Sequence, residues 1–403
     1  AVTQDHLEEA AVGGAASGTV AVTGAGAVGV IESQTSAEIR SNAKINQTGE
    51  NAGVDQKVLV AAGTDYYSLG IGGALSGSGG VAGGPGAHVS VVELGTTASI
   101  GNDSEVRSRG DITVSATTSE NILSIAAAGS ASAYAAISGA VTVSSLTNRT
   151  HAFIGDRAQV TADRSLSLSA LDSTKYTTIA GGVALAVTGG GVGGSVAVNV
   201  INKDTQAFIG RDADVNAKGG ALAIHAISEE DLLDVVASGG IGLFAGAAGA
   251  VAVNSVNSNT YAFIKDGARI NQDTAGTTAS QHVDLLAKND LKLLSIAGTL
   301  AGGAVGVSGG VDVVTIKNNT AAYVEDGVNI KARGAFGIEA QSGQDIESYA
   351  VSAGAGAVGV AGAVSVVSVG SDLELDSKSV DGTSATSALE TSDGSENVMD
   401  YAH

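Results

Sequence analysis

The stretch Ser195-Val196-Ala197-Val198-Asn199, followed by Thr205-Gln206-Ala207-Phe208-Ile209-Gly210, returns 55 residues later. It reappears as Ala250-Val251-Ala252-Val253-Asn254 and Thr260-Tyr261-Ala262-Phe263-Ile264-Lys265. The Ala-aromatic-aliphatic triplet has four clear copies: Ala152-Phe153-Ile154, Ala207-Phe208-Ile209, Ala262-Phe263-Ile264 and Ala322-Tyr323-Val324. Weaker copies stand at Ala37-Glu38-Ile39 and Ala98-Ser99-Ile100. The last residues of successive copies are 61, 54, 55, 55 and 60 positions apart. Repetition at such a period implies units that bury their apolar faces only by stacking on each other.

Two further signatures accompany the triplet. A Val-x-Val pair recurs at Val141/Val143, Val196/Val198, Val251/Val253 and Val311/Val313, with Thr142, Ala197, Ala252 and Asp312 between. In each clear copy the triplet's Ala follows the first Val by 11 residues. The third signature is an alternating apolar strand ending in Ala, as in Leu166/Leu168/Ala170 and Leu222/Ile224/Ala226. Period-two alternation means one buried and one exposed face. The constant Val columns are expected to point inward and the variable middle residue outward.

The fold expected is therefore all-β, a parallel β-solenoid (β-helix) of six to seven repeats of about 55 residues. Each unit holds at least four strand-like stretches, which suggests two or three coils per unit. That gives roughly 12–20 coils and a rod of about 60–100 Å at ~4.8 Å per coil. Residues 1–18 read as an N-terminal edge or cap and 19–370 as the repetitive solenoid. Residues 371–403, with eight acids and one Lys, read as an acidic Ser/Thr-rich tail or cap. The polar runs Ile45–Gln56 and Asn271–Gln281 read as loops inserted on one flank.

Composition agrees. Gly is 58 residues and Pro one, Pro85; aromatics are 3% and Trp is absent. Small and β-branched residues suit a narrow sheet-built core, and long ladders exclude Pro, which cannot donate to them. Acids outnumber bases 41 to 20, a net charge of −21. That disfavours nucleic acid and anionic membrane surfaces, which call for basic patches. Without Cys, disulfides and thiolate metal sites are excluded. The chain opens without an initiator Met or a leader-like segment, which reads as a fragment or mature piece.

Several motifs are weighed and set aside. Gly24/Gly26/Gly29, Gly189/Gly191/Gly194 and Gly354/Gly356/Gly359 match a dinucleotide fingerprint, but a working fingerprint opens a helix and none is expected here. Ser308 lies in a Gly-x-Ser-x-Gly pattern with no recurring His or acid beside it. Arg109-Gly110-Asp111 falls in a routine turn. The recurring turn acids Asp103, Asp156, Asp212, Asp266 and Asp326 supply one ligand per repeat, too few for calcium, and fit capping of the turn backbone. The six His residues show no metal spacing, and His151 and His225 fall in columns read as exposed. Val351–Gly370 is twenty residues without a charge. Membrane insertion is disfavoured because Leu and Phe are scarce and Lys/Arg flanks are missing; sheets covered on both faces explain such runs. No catalytic, cofactor or metal residues are assigned, and no cofactor is expected.

One feature exceeds structural need. Phe153, Phe208, Phe263 and Tyr323 share one column, and its neighbour two positions earlier is mostly polar: His151, Gln206, Tyr261, Ala321. Alternation puts the aromatics outside and Ala152/Ile154 and their equivalents inside. At one ring per two or three coils they form a candidate binding stripe. The competing reading is that another strand covers them as core.

Gly191-Val-Gly-Gly-Ser-Val-Ala-Val-Asn199, Thr205-Gln-Ala-Phe-Ile-Gly210 and the Leu222/Ile224/Ala226 strand resemble the repeats of large bacterial exoproteins. These are the filamentous-haemagglutinin-like and leukotoxin-type filamentous surface adhesins, and the resemblance covers about residues 11–370. It implies an exported rod on the bacterial outer surface that contacts a host or neighbouring-cell component. The N-terminal secretion domain and terminal effector of that family have no counterpart in this sequence. Two rivals are an end-to-end filament of sister copies and a solenoid polysaccharide-degrading enzyme. The second calls for a mixed basic and acidic cluster with stacking aromatics, whereas the bases here are scattered.

Overall fold

In the computed structural model three parallel sheets wind together as a β-solenoid. The structure describes residues 1–47, 53, 55–370, 377–378 and 384–385, and these form no helix. Most of the expected tail 371–403 and much of the loop 45–56 lie outside the described residues. Within the tail, Ser377–Lys378 pairs antiparallel with Ser384–Ala385.

Each coil is one repeat. In the fourth coil a front strand, Leu166–Ala186, leads through a tight hairpin end to a back strand, Gly190–Ile209. A polar turn and a short strand, Asp214–Ala217, then deliver the chain to the next front strand, Leu222–Gly242. Leu166 pairs with Leu222, and Phe208 with Phe263. About 55 residues thus carry the chain around once, not two or three times. Seven front strands stack in chain order, which makes the rod about 30 Å long rather than 60–100 Å. The expectation of many small coils fails because the strands are unusually long. A strand of 21 residues spans about 70 Å, so each turn of the solenoid is broad and flat.

The turn after each back strand explains the recurring acids. Its third residue is left-handed in every coil that has one: Asn42 (φ 62°), Asp103 (57°), Arg157 (54°), Asp212 (55°), Gly267 (70°) and Gly327 (70°). Asn, Asp and Gly tolerate that conformation best. In two coils the preceding residue caps the next: Asn102 Oδ1 accepts from Asp156 N at 2.9 Å, and Asp156 Oδ1 from Arg211 N at 2.9 Å.

The interior has three zones. Near the short sheet, three walls enclose a continuous aliphatic core that includes Ile154, Ile209, Val160, Val215, Leu168 and Ile224, all fully buried. In the middle, front and back sheets meet over Tyr66, Ile122, Tyr176, Leu94, Leu146 and Ile201. Toward the hairpin end the interior narrows and is mostly alanine, Ala180, Ala197, Ala250 and Ala252 among them, with Val236. Between the first two zones runs a ladder of threonine hydroxyls that alternates between the sheets. Thr35, Thr64, Thr96, Thr118 and Thr150 follow one another at 2.7–2.9 Å.

This interior reverses one expectation. Ala197, Thr142, Ala252 and Asp312 are fully buried, while the flanking Val141 and Val143 are 37% and 40% exposed. The Val columns face solvent. The back strand is unbroken from Gly190 to Ile209. Residues an odd number apart on one strand lie on opposite faces, so an inward Ala207 obliges Val196, 11 positions earlier, to point outward. The small middle residue lets the two sheets close over the core.

Candidate functional site

The aromatic column lies on the outer face of the back sheet beside the turn. Ala152, Ile154, Ala207 and Ile209 on either side of the rings are fully buried inside. The ring centroids of Phe153, Phe208, Phe263 and Tyr323 are 4.9, 4.9 and 5.1 Å apart, with interplanar angles of 12° or less. One ring per coil replaces the wider spacing expected. Stacked this way, both faces of Phe208 and Phe263, and one face each of Phe153 and Tyr323, are taken up by neighbouring rings. The Lys265 ammonium adds a cation–π contact 4.5 Å from the Phe208 centroid. Among the described residues, no further strand covers the column. Phe263 is nonetheless 6% exposed, because its neighbours shield it, and Tyr323 is 38% exposed.

Polar columns run alongside. Asn202 and Asn257 lie in register, as do Asp204 and Asn259, then Gln206 and Tyr261. His151 contacts Asp204 at 3.0 Å and Gln206 donates to the same carboxylate at 2.6 Å. These bonds hold the Asp204 carboxyl below its ordinary pKa in spite of its burial. The column set forms a shallow groove of about 340 Å³ bordering the rings. An array of ring edges, amides and carboxylates suits polar, hydrogen-bonding ligands more than a flat sugar face, since most of the ring faces are already occupied.

A second cluster escaped the sequence reading. Directly behind the groove, Lys203 turns inward and is completely buried with Asp172 and Glu230. Its ammonium lies 2.6 Å from Asp172 Oδ1 and 3.8 Å from Glu230 Oε1, and it donates to Thr174 Oγ1. Thr174 donates to Glu120 at 2.7 Å, and Asn148 bridges Glu120 to Asp172. Three carboxyls thus share one cation. Burial, reinforced by Asp172, pushes the Glu120 carboxyl well above the usual range, while Lys203 and the Thr174 bond oppose that rise. Burial opposes the Lys203 charge, but Asp172, Glu120 and Glu230 together raise its pKa above that of an ordinary lysine. The strand's period of two was the signal that could have placed Lys203 inside, in line with Ala207 and Ile209.

Comparison with protein-family models, with curated proteins and with solved structures finds no match. The functional reading therefore rests on the geometry and on the repeat pattern.

Closer to the hairpin end lies a third polar chain. Asn199 donates to Asn254, which donates to Asp234 at 2.9 Å and to Ser295 at 3.0 Å. Ser295 and Ser348 each donate to Asp312 at 2.7 Å. Burial pushes Asp234 up to about 7, with the Asp312 charge adding and the Asn254 bond opposing. An acid whose pKa is raised on folding stabilises the fold while protonated and loses that contribution as pH rises through the folded value. Stability is expected to fall between about pH 4 and pH 7 by an amount on the order of 3 kcal/mol. Asp234→Asn should flatten that slope and be the more stable form at pH 8, as thermal melts at pH 5 and pH 8 would show.

The remaining motifs are structural in place. Gly110 of Arg109-Gly110-Asp111 is buried and donates to Gln56 O, and Asp111 is held by Lys57 at 3.2 Å. Ser308 pairs with Ser352 at 2.8 Å. His151 and His225 each contact one carboxylate of the next coil at 3.0 Å. His88 is instead internal, between Glu9 at 2.9 Å and Ser124. The glycine runs lie in strands or at hairpin ends, and the described residues include no helix to receive a phosphate.

Proposed function

We propose that the chain is a structural rod segment of an exported bacterial surface adhesin, a scaffold for contact with a host or neighbouring cell and not a catalyst. The observation that carries this reading is the register: coil follows coil along the front and back sheets without a bulge. The cluster that gathers acids around a base deep in the structure is sealed from solvent, with Lys203, Asp172 and Glu230 side chains at 0% exposure. General acid–base work on a polymer requires groups within reach of substrate. The outer groove beside the aromatic column repeats polar and aromatic groups in register, and it is the contact strip of this reading.

The test combines stability and adhesion in one pair of substitutions, Phe208→Ser with Phe263→Ser. Beads coated with the wild-type protein are expected to bind cells saturably, with competition from soluble protein. The double variant should stay folded, at a melting temperature lowered by the loss of the largely buried Phe263 ring, and bind several-fold less. Loss of the fold with the two rings would make the column a structural spine. Release of reducing ends from a panel of polysaccharides by the wild-type protein would replace the scaffold with an enzyme.

End-to-end filament growth is the second reading. Among the described residues, the last front and back strands, Phe336–Ala355 and Val358–Gly370, each present an unpaired edge of the kind that recruits further strands.

A further inference from the structure

In the five middle coils the hairpin half of the front sheet turns an uncharged face outward. Its side chains stand in columns that run along the rod, one residue per coil. Ile71, Ile125, Ile179, Val235 and Ile296 make a continuous ridge. Two residues further along each strand, Gly73, Ala127, Gly181, Ala237 and Gly298 make a trough beside it. The next column alternates Leu75, Gly129, Val183, Gly239 and Leu300; the Leu75 side chain leans over Gly129, and the position over Gly239 stays open. A groove of about 580 Å³ opens at Gly129. On the other side of the ridge stand Leu69, Leu123, Thr177, Leu233 and Leu294; beyond them comes the first charged column, with Lys175, Asp231 and Lys292. Leu75 is 64% exposed, Leu300 50% and Val183 46%.

Three of these columns stay uncharged across all seven coils, and the fourth stays so across the five middle ones and ends in Glu8 and Glu347; together the uncharged positions cover roughly 800 Å². That exceeds the ~300–600 Å² of a typical monomer's largest apolar patch and equals one partner's share of a stable protein interface. The sequence reading had such runs covered on both sides of the sheet. The back sheet covers only the inner one.

We propose that this face binds the same face of a second copy, with the two rods lying parallel about a two-fold axis that runs along them. The relief selects that geometry. An axis between the ridge and trough columns lays each copy's ridge in the other's trough. It also brings Leu233 over the open position at Gly239. A two-fold axis across the rod would set ridge on ridge. The parallel arrangement exchanges the four columns among themselves and stops before the Lys175, Asp231 and Lys292 column, so the charges it meets, Glu8 and Glu347, stand at the corners of the face and its middle holds none. The other candidates for this face match it less well. Segment 371–403 carries eight acids against one Lys. A bilayer rewards apolar area but not relief, and it would leave the edge strands of the first and last described coils facing hydrocarbon.

This lateral pairing stands apart from the adhesion reading, since its face is on the opposite sheet from the aromatic column. Sedimentation velocity of the full chain across a concentration series is the experiment. The wild type is expected to be a dimer that dissociates on dilution. Ile179→Lys and Gly181→Glu should each weaken it by ~100-fold or more, because each buries an unpaired charge. Mixing the two variants should restore a heterodimer, since the ammonium introduced on the ridge of one copy then meets the carboxylate introduced in the trough of the other. Val198→Glu, on the back sheet, should leave the dimer intact. A wild type that stays monomeric at all concentrations overturns the proposal. So does a dimer lost with Val198→Glu but kept with Ile179→Lys, or one that fails to re-form in the mixture. Partition of the wild type onto phosphatidylcholine vesicles in place of dimerisation would overturn it too and assign the face to lipid.

Discussion

Ala197→Asp is expected to cost the protein at least about 4 kcal/mol, or its fold altogether, while Val196→Asp next to it costs about 1 kcal/mol or less. Ala197 is fully buried where front and back sheets close over small residues, and Val196 stands on the outer face. A carboxylate at 197 would have no cation within the Ala180, Val236 and Ala250 cluster and no room for water. Ala252→Asp, one coil on, should behave the same way. Urea unfolding of the three variants checks this directly. A larger loss at Val196 than at Ala197 would return the Val column to the interior.

The second large effect is expected at Lys203. Lys203→Met keeps the volume and removes the cation that Glu120, Asp172 and Glu230 share. Deleting one partner of a buried ionic network typically costs about 3–5 kcal/mol. The loss should depend on pH. Glu120 and Glu230 are already raised by burial, and without the ammonium their carboxyls favour the protonated form further. Such groups stabilise the fold at low pH and cease to as pH rises through their folded values. Lys203→Met should therefore melt near wild type at pH 5 and far below it at pH 8. Adding Asp172→Asn should recover part of the difference, and a flat pH profile would show that the ammonium does not neutralise the cluster.

The architecture was legible in the sequence because the repeat itself is the folding unit: the triplet at Ala207-Phe208-Ile209 lies hydrogen-bonded against its next copy at Ala262-Phe263-Ile264. The path within a repeat was harder to read. A polar run such as Asn202-Lys203-Asp204 looks like a turn between two strands, yet it is mid-strand, with Lys203 inside and Asp204 outside. Splitting the strand there hides the odd spacing between Val196 and Ala207, and both the parity error and the excess of coils follow from it. Alternation puts the aromatic column on the outer face of its strand, because its neighbours two positions earlier are polar, but leaves open whether another strand covers it. Its face-to-face stacking was not legible, since ring orientation depends on the one-coil spacing. The buried cluster was invisible for a third reason. Glu120, Asp172 and Lys203 come from two sheets and two coils, and no local spacing joins them.

The hydrogen bonds of the three solenoid sheets run along the rod while the strands lie across it. A tether pulled at its two ends would therefore load these bonds a few at a time, at the corner where the outermost strand begins to peel, and not all together in shear. Each coil touches chiefly its two neighbours, so the rod would give way from an end, one unit after another. Every step releases about 55 residues, or roughly 190 Å of slack, against about 5 Å of folded height. A cell held by such a segment would have a shock absorber, extending far in discrete yields before any bond at the contact surface bore the full load.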